Sequence, residues 1–139
     1  MRIAIWCMGV TAIGMVGDSY SQNVKELEDY YRRIDADRLP VYRGYRLNRD
    51  DSIRRKVITQ LICHFELDTR EIERNYDCAF WHYYFEESLP ALNHMADDGL
   101  IRFDDSRIRV TDKGRLLIRN ICMVFDAYNQ VGGGFSKVI

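Results

Sequence analysis

Four arginines are the side chains of this sequence best suited to hold an anion. Arg54 and Arg55 are adjacent, and Arg115 and Arg119 are four apart. A guanidinium group meets a carboxylate through paired hydrogen bonds. Adjacent residues on a helix point about 100° apart, so Arg54 and Arg55 cannot face one ligand together. Residues four apart share a helical face, so Arg115 and Arg119 could. Salt bridges to Asp50, Asp51, Asp112 or Asp126, holding helices together, are the preferred use of all four. His82 and Glu86 are also four apart and could offer two metal ligands. No third ligand is placed by spacing, since His94 lies beyond Pro90, and with His64 the histidines read as surface or partly buried groups. Glu86 and Glu87 are neighbours on different faces and form no acid–base pair. Cys63 and His64 are likewise adjacent and diverge on a helix, and no Ser-His-Asp arrangement is legible. The four cysteines, Cys7, Cys63, Cys78 and Cys122, are far apart, and no pair has metal-ligand spacing. Cys63 and Cys122 lie in apolar helical patterns and read as buried thiols. Unpaired thiols fit a reducing, cytoplasmic setting. The run FWHYYF at 80–85 could serve a partner or ligand, because aromatic residues dominate hot spots. Core and interhelical packing is the commoner use, with Trp81 and Tyr83 off the main stripe.

These residues need elements to place them. The stretch 99–128 reads as strand, turn, strand and long helix. Leu100, Ile101 and Phe103 precede the polar turn Asp104-Asp105-Ser106, and Ile108 and Val110 alternate with Arg107 and Arg109 after it, a hairpin signal. Thr111 can cap the helix that follows, whose apolar face is Leu117, Ile121, Val124, Phe125 and Tyr128. A second helix starts near 48–50 and repeats Ile53, Val57, Leu61 and Phe65 every four residues. Asp68 or Thr69 caps a short helix at 70–75 that carries Ile72. Another runs from about 79 to 96, with Phe80, Tyr84, Phe85, Leu89, Leu92 and Met95 on one face, and Pro90 should kink or break it. Gly99 ends it.

Earlier in the chain, residues 2–8 could form a strand. Residues 9–18 read as a loop in which Gly9, Gly14 and Gly17 permit unusual backbone angles. Asn23 with Glu26 fits a capping box for a helix whose stripe is Val24, Leu27, Tyr30, Tyr31 and Ile34. Residues 35–45 read as extended, since Pro40 disfavours helix at Leu39. The apolar start, 3–16, is broken by Gly9 and Gly14, too short to span a bilayer, and without a convincing cleavage site. With 139 residues and 47% hydrophobic content, a single domain with its own core is expected. A net charge of −1 gives no global field favouring nucleic acid or anionic membrane.

Several long stretches resemble one family in the right order. GRLLIRNICMVFDAY at 114–128 and DDSIRRKVITQLIC at 50–63 resemble the C-terminal domain of oxygen-independent coproporphyrinogen III oxidase, a radical S-adenosylmethionine enzyme family of haem biosynthesis. FSKVI at 135–139 resembles that family's closing residues. GVTAIG at 9–14 and QNVKELEDYY at 22–31 resemble the junction where its catalytic barrel meets this domain. Trp6-Cys7-Met8 departs from the small, glycine-containing stretch usual before that junction. The expected fold is mainly α with a small β-hairpin. A remnant barrel strand and cofactor-side loop would occupy 1–18, a linker helix and extended segment 19–47, a winged-helix-like domain 48–130 and a flexible tail 131–139.

The resemblance implies roles. Ile13 matches the isoleucine that packs on S-adenosylmethionine in the family. The substrate's four propionates would suit Arg115 and Arg119, beside their structural use. The family holds a [4Fe–4S] cluster on a CxxxCxxC loop, and the cysteines at 7, 63, 78 and 122 do not have that spacing. The chain is therefore expected to be an accessory domain, a fragment or truncated relative that is inactive alone. Its partner would be a radical S-adenosylmethionine barrel, in cis or in trans. Residues 2–8, as a bare strand, would pair with a second copy or fold back near Trp81. The fold alone would also allow a winged-helix DNA-binding protein. The helix before the hairpin, however, has no Lys or Arg and carries Glu86, Glu87, Asp97 and Asp98. Binding a polyanion needs cations to replace its counterions, so nucleic acid is not expected. A protein-interaction module using the aromatic surface is the third reading.

Overall fold

The structure is a computed structural model that describes residues 4–128, the side chains of Tyr83 and Tyr84 excepted. The expected tail at 131–139, and residues 2 and 3 of the expected first strand, lie outside the described residues. The chain divides into two units, the first ending at Ser52 and the second beginning at Ile53.

The first unit is built on a four-stranded antiparallel sheet in the order β1-β2-β3-β4: Ala4–Ile5, Ile13–Val16, Ser19–Asn23 and Val41–Arg46. This sheet corrects two expectations. Residues 13–16 are a strand, not part of a loop, and the β content exceeds one hairpin. The glycine that suggested a loop is needed by the sheet. A Cβ on Gly14 would sit 3.2 Å from the Ile5 carbonyl oxygen and 3.2 Å from Ser21 Oγ, the close approach that glycine permits inside a strand. Helix α1, Leu27–Asp35, lies between β3 and β4 in sequence. The expected capping box is absent: Glu26 precedes the helix without a side-chain cap. Asn23 is the last residue of β3, its N–H bonded to the Ala12 carbonyl and its side chain to Gly9.

Helix α2 spans Arg49–His64. Asn48 and Asp51 cap it reciprocally. The Asp51 N–H reaches Asn48 Oδ1 at 2.8 Å, the Asn48 N–H reaches Asp51 Oδ2 at 3.1 Å, and the Tyr45 hydroxyl donates to the same carboxylate oxygen at 2.9 Å. This satisfies donors that a helix start leaves unpaired.

In the second unit Ile53, Val57 and Leu61 of α2 are fully buried. Three strands, β5 (Glu66–Asp68), β6 (Ile101–Phe103) and β7 (Arg107–Val110), form an antiparallel sheet in the order β5-β7-β6. The hairpin forms where the alternation places it, with Ile108 and Val110 buried and Arg107 and Arg109 exposed. Strand β5 was not anticipated. Helix α3, Thr69–Tyr76, starts at Asp68, whose carboxylate accepts the Glu71 N–H, and buries Ile72.

The expected long helix from 79 is three pieces. A π-helical turn spans Phe80–Tyr84, a 3₁₀ turn spans Glu86–Ser88, and helix α4 spans Leu89–Asp97 with Pro90 in its first turn. Proline is tolerated there because the first-turn N–H groups have no intrahelical acceptor. The last helix is likewise split into α5, Asp112–Arg115, and α6, Ile118–Met123. In α5, a Cβ on Gly114 would come within 2.0 Å of the Leu100 carbonyl oxygen. Breaking the helix at Leu117 seats that glycine and still lets α6 carry Ile121 and Cys122 into the core, with Phe125 buried just beyond it. Thr111 caps α5, accepting the Gly114 N–H at 3.1 Å.

The hydrophobic core lies in the second unit. It runs from Ile53 to Phe125 and includes three packed phenylalanine rings, with Phe80–Phe85 centroids 4.5 Å apart and tilted and Phe85–Phe125 5.0 Å apart and edge-to-face.

Candidate functional site

The register of the four-stranded sheet places one set of side chains together. Ile13 pairs Gln22, Met15 pairs Tyr20, Tyr20 pairs Tyr45 and Gln22 pairs Arg43. Directly opposed residues share a face of an antiparallel sheet. The face carrying Ile13, Tyr20, Gln22, Arg43 and Tyr45 bounds an open concavity of about 550 Å³, which Ser21 and Gly44 also line. Ile13 is 57% exposed there. The Arg43 Nε–H donates to Gln22 Oε1 at 2.9 Å, which turns a guanidinium and an amide toward one edge of the groove. Two tyrosine rings and an isoleucine suit a flat or apolar group, and the Arg43–Gln22 pair suits a polar or anionic one. The chemistry of this set, apolar faces beside a guanidinium and an amide, is compatible with the S-adenosylmethionine that the resemblance implies. Of this set only Ile13 was singled out in the sequence. The signal for the rest was the period-two run in SYSQN and VYRGYR, hidden by the glycines around it.

The arginines are placed differently from the helical expectation. Arg115 ends α5 and Arg119 lies in α6, so the two belong to separate short helices and not to one long one. The Arg115 guanidinium lies 4.7 Å from the Phe65 ring centre, and its Nε is 3.6 Å from Asp112 Oδ1. Arg119 is exposed. Arg54 donates through Nη1 to the Phe125 carbonyl at 3.1 Å and lies 5.3 Å from the Phe85 ring centre, so it ties α2 to the chain just past α6. Arg55 is half-buried.

His82 sits in the π-helical turn and Glu86 in the 3₁₀ turn after it, so they do not share an α-helical face. His64 and His94 are exposed, at the end of α2 and within α4. Among the described residues no three His, Cys, Asp or Glu side chains gather as a metal site.

Cys122 is buried, and burial pushes its thiol up to about 11. Cys63, expected to be buried, is exposed. It follows the buried Leu61 by two residues, about 200° around the helix, and so faces away from the core. Within the aromatic run, Phe80 and Phe85 are core, and Trp81 is half-buried. The Trp81 ring lies 5.8 Å from that of Phe103, and its Nε1–H donates to the Asp105 carbonyl at 3.0 Å. That bond helps fix the hairpin tip. There Asp104 Oδ1 accepts the Ser106 hydroxyl and N–H at 2.7 Å each and the Arg107 N–H at 3.0 Å. The Ser106 bonds hold the Asp104 carboxyl below its ordinary range.

The first unit leaves much apolar surface uncovered. Ile5, Trp6, Met8, Val16, Leu27, Tyr31 and Ile34 are exposed, Trp6 at 79%, and α1 buries none of its residues. Among the described residues, strand β1 is at the edge of its sheet and pairs with β2 alone. Among the described residues no helix is long and apolar enough to cross a membrane.

Residues 47–117 match the family model described as the HemN C-terminal domain. The chain is 54% identical over 135 residues to the oxygen-independent coproporphyrinogen III oxidase of Escherichia coli K12, covering 95% of this chain and 29% of that protein. It is 49% identical over 121 residues to the same-named protein of Pseudomonas aeruginosa, covering 87% of this chain and 26% of that one. A solved structure of Escherichia coli coproporphyrinogen III oxidase (HemN), described as a radical SAM enzyme, superposes with a TM-score of 0.83 at 52% identity. It covers 90% of this chain and 29% of that chain. The chain thus spans under a third of the length of these relatives.

Proposed function

The chain belongs to the HemN C-terminal domain family, and on that premise we propose that it is the accessory domain of an oxygen-independent coproporphyrinogen III oxidase of the cytoplasm. In this reading it seats on a radical S-adenosylmethionine barrel, in cis or in trans, and helps close the active site where coproporphyrinogen III is decarboxylated to protoporphyrinogen IX. The observation that carries it is the 54% identity to a named oxidase along 95% of the chain. Identity at that level along nearly the whole chain is more than a shared fold alone would require.

The uncovered apolar surface of the first unit supports the seating. Apolar surface on this scale marks interaction sites, and the free edge of β1 can take a further strand. A second copy of the chain is the competing occupant. Bound S-adenosylmethionine and a [4Fe–4S] cluster would supply the radical chemistry. The cluster's ligands would come from the barrel, so the described residues alone are expected to be inactive. This chain's part is to offer Ile13 as an apolar contact, to orient polar groups of the cofactor through Arg43 and Gln22, and to keep water out. Arg115 fits a structural role against Phe65 and Asp112, and Arg119 remains available to a propionate. We also read the second unit as winged-helix-like. Its order helix, strand, helix, helix, strand, strand and its sheet order β5-β7-β6 support that. The absence of Lys and Arg from 79–98 weighs against a DNA-binding use.

The test is a chimaera in which this chain replaces the matching part of the Escherichia coli relative. Cluster reconstitution under anaerobic conditions, then coproporphyrinogen III, S-adenosylmethionine and a reductant, should yield protoporphyrinogen IX. A folded chimaera with an intact cluster and no product would contradict the proposal.

A further inference from the structure

The turn before Ile13 is strained and is gripped from two sides. Thr11 has φ +61° and Gly9 φ +105°. A β-branched residue in the left-handed region is an outlier, and such strain persists only where the surroundings over-determine it. Both polar groups of the Gly9 main chain are held by side chains. Its N–H donates to the Tyr30 hydroxyl at 3.1 Å, and its carbonyl accepts from Asn23 Nδ2 at 2.9 Å. Main-chain bonds then fix the rest: the Thr11 N–H to the Val24 carbonyl and the Asn23 N–H to the Ala12 carbonyl, both 2.9 Å. Asn23 is only 8% exposed, so its amide is committed to this contact and not to solvent. Neither Asn23 nor Tyr30 lines the groove beside Ile13.

We infer that Asn23 and Tyr30 are positioning residues that fix where β2 begins and so hold Ile13 toward its ligand. Side chains alternate between faces along a strand, and a slip of one residue at the start of β2 would turn Ile13 to the opposite face. The grip on Gly9 opposes that slip, Tyr30 from α1 and Asn23 from the end of β3. This inference rests on the proposed contact between Ile13 and S-adenosylmethionine.

Tyr30→Phe removes one hydroxyl at constant shape, and Asn23→Asp removes the donor at constant volume. In the full chain, Tyr30→Phe should speed amide exchange at Gly9 and Thr11 by NMR while the core amides of α2 stay unchanged. In the chimaera, both variants should raise the equilibrium dissociation constant for S-adenosylmethionine about three- to tenfold, the scale of one hydrogen bond. The maximal rate at saturating cofactor should hold, giving an effect on KM and not on kcat. If the turn loosens and the dissociation constant does not move, while Ile13→Ala does raise it, the positioning role is wrong and the cofactor contact stands. If Ile13→Ala also leaves it unmoved, the contact itself fails and takes the inference with it.

Discussion

Cys122 and Cys63 share a sequence pattern and have opposite surroundings. Thiolate is the reactive form, and burial pushes the Cys122 thiol up to about 11. A thiol reagent at mildly alkaline pH should therefore modify exposed Cys7 and Cys63 first. Cys122 should react only after denaturant is added, and mass spectrometry of the labelled peptides reads the order. Prompt labelling of Cys122 in the folded chain would contradict its burial. At the hairpin tip, the Asp104 carboxyl is held low by Ser106 and Arg107. A carboxyl with a depressed folded pKa contributes stability above its unfolded pKa and loses it as pH falls through the folded one. Asp104→Asn should lower Tm at neutral pH, and the gap between the two melting curves should close in acid. A gap that widens in acid would reverse the assignment. The caps at Thr111 and Asp68 were legible because an N-cap needs only a side-chain oxygen and a nearby N–H. The Asn23 cap was misread because the same side chain satisfies a turn distant in sequence, and its partner Gly9 lies 14 residues away.

At the scale of elements, period two and period four were readable wherever one face is buried in the chain's own core. That is true of the hairpin and of α2. It failed for β2 and β3, which the glycines at 14 and 17 made look like a loop and which bury little in the chain's own core, while β4 falls largely in the stretch read as extended. The split between α5 and α6 was invisible because it answers to the main chain of Leu100, which no helical pattern encodes. That contact yields a sharp expectation. Gly114→Ala would drive a Cβ into the Leu100 carbonyl oxygen and should cost at least about 2 kcal/mol by overpacking. Gly44→Ala, whose Cβ would meet only the Tyr20 carbonyl at 3.4 Å, should be tolerated far better. Urea unfolding of both variants compares them, and equal losses would contradict the tight packing of α5. For the candidate site, the resemblance gave Ile13 alone. Tyr20, Gln22, Arg43 and Tyr45 join it only through strand register, which spacing along the chain does not reveal.

At the scale of the whole molecule, the two units differ in what they bury. The second unit holds a core of its own, from Ile53 to Phe125. In the first, Val24 is the buried apolar side chain of note, strands and helix alike present exposed Ile or Tyr, and Trp6 is exposed just past β1. The proposed seating on a larger body would account for that contrast, because the surface exposed here would be interior there. Hydroxyl-radical footprinting, read residue by residue by mass spectrometry, tests this seating most directly. Trp6, Met8, Leu27 and Tyr31 should be labelled readily in the chain alone and several-fold more slowly in the catalytically active chimaera. Equal labelling of these four residues in both proteins would contradict the account.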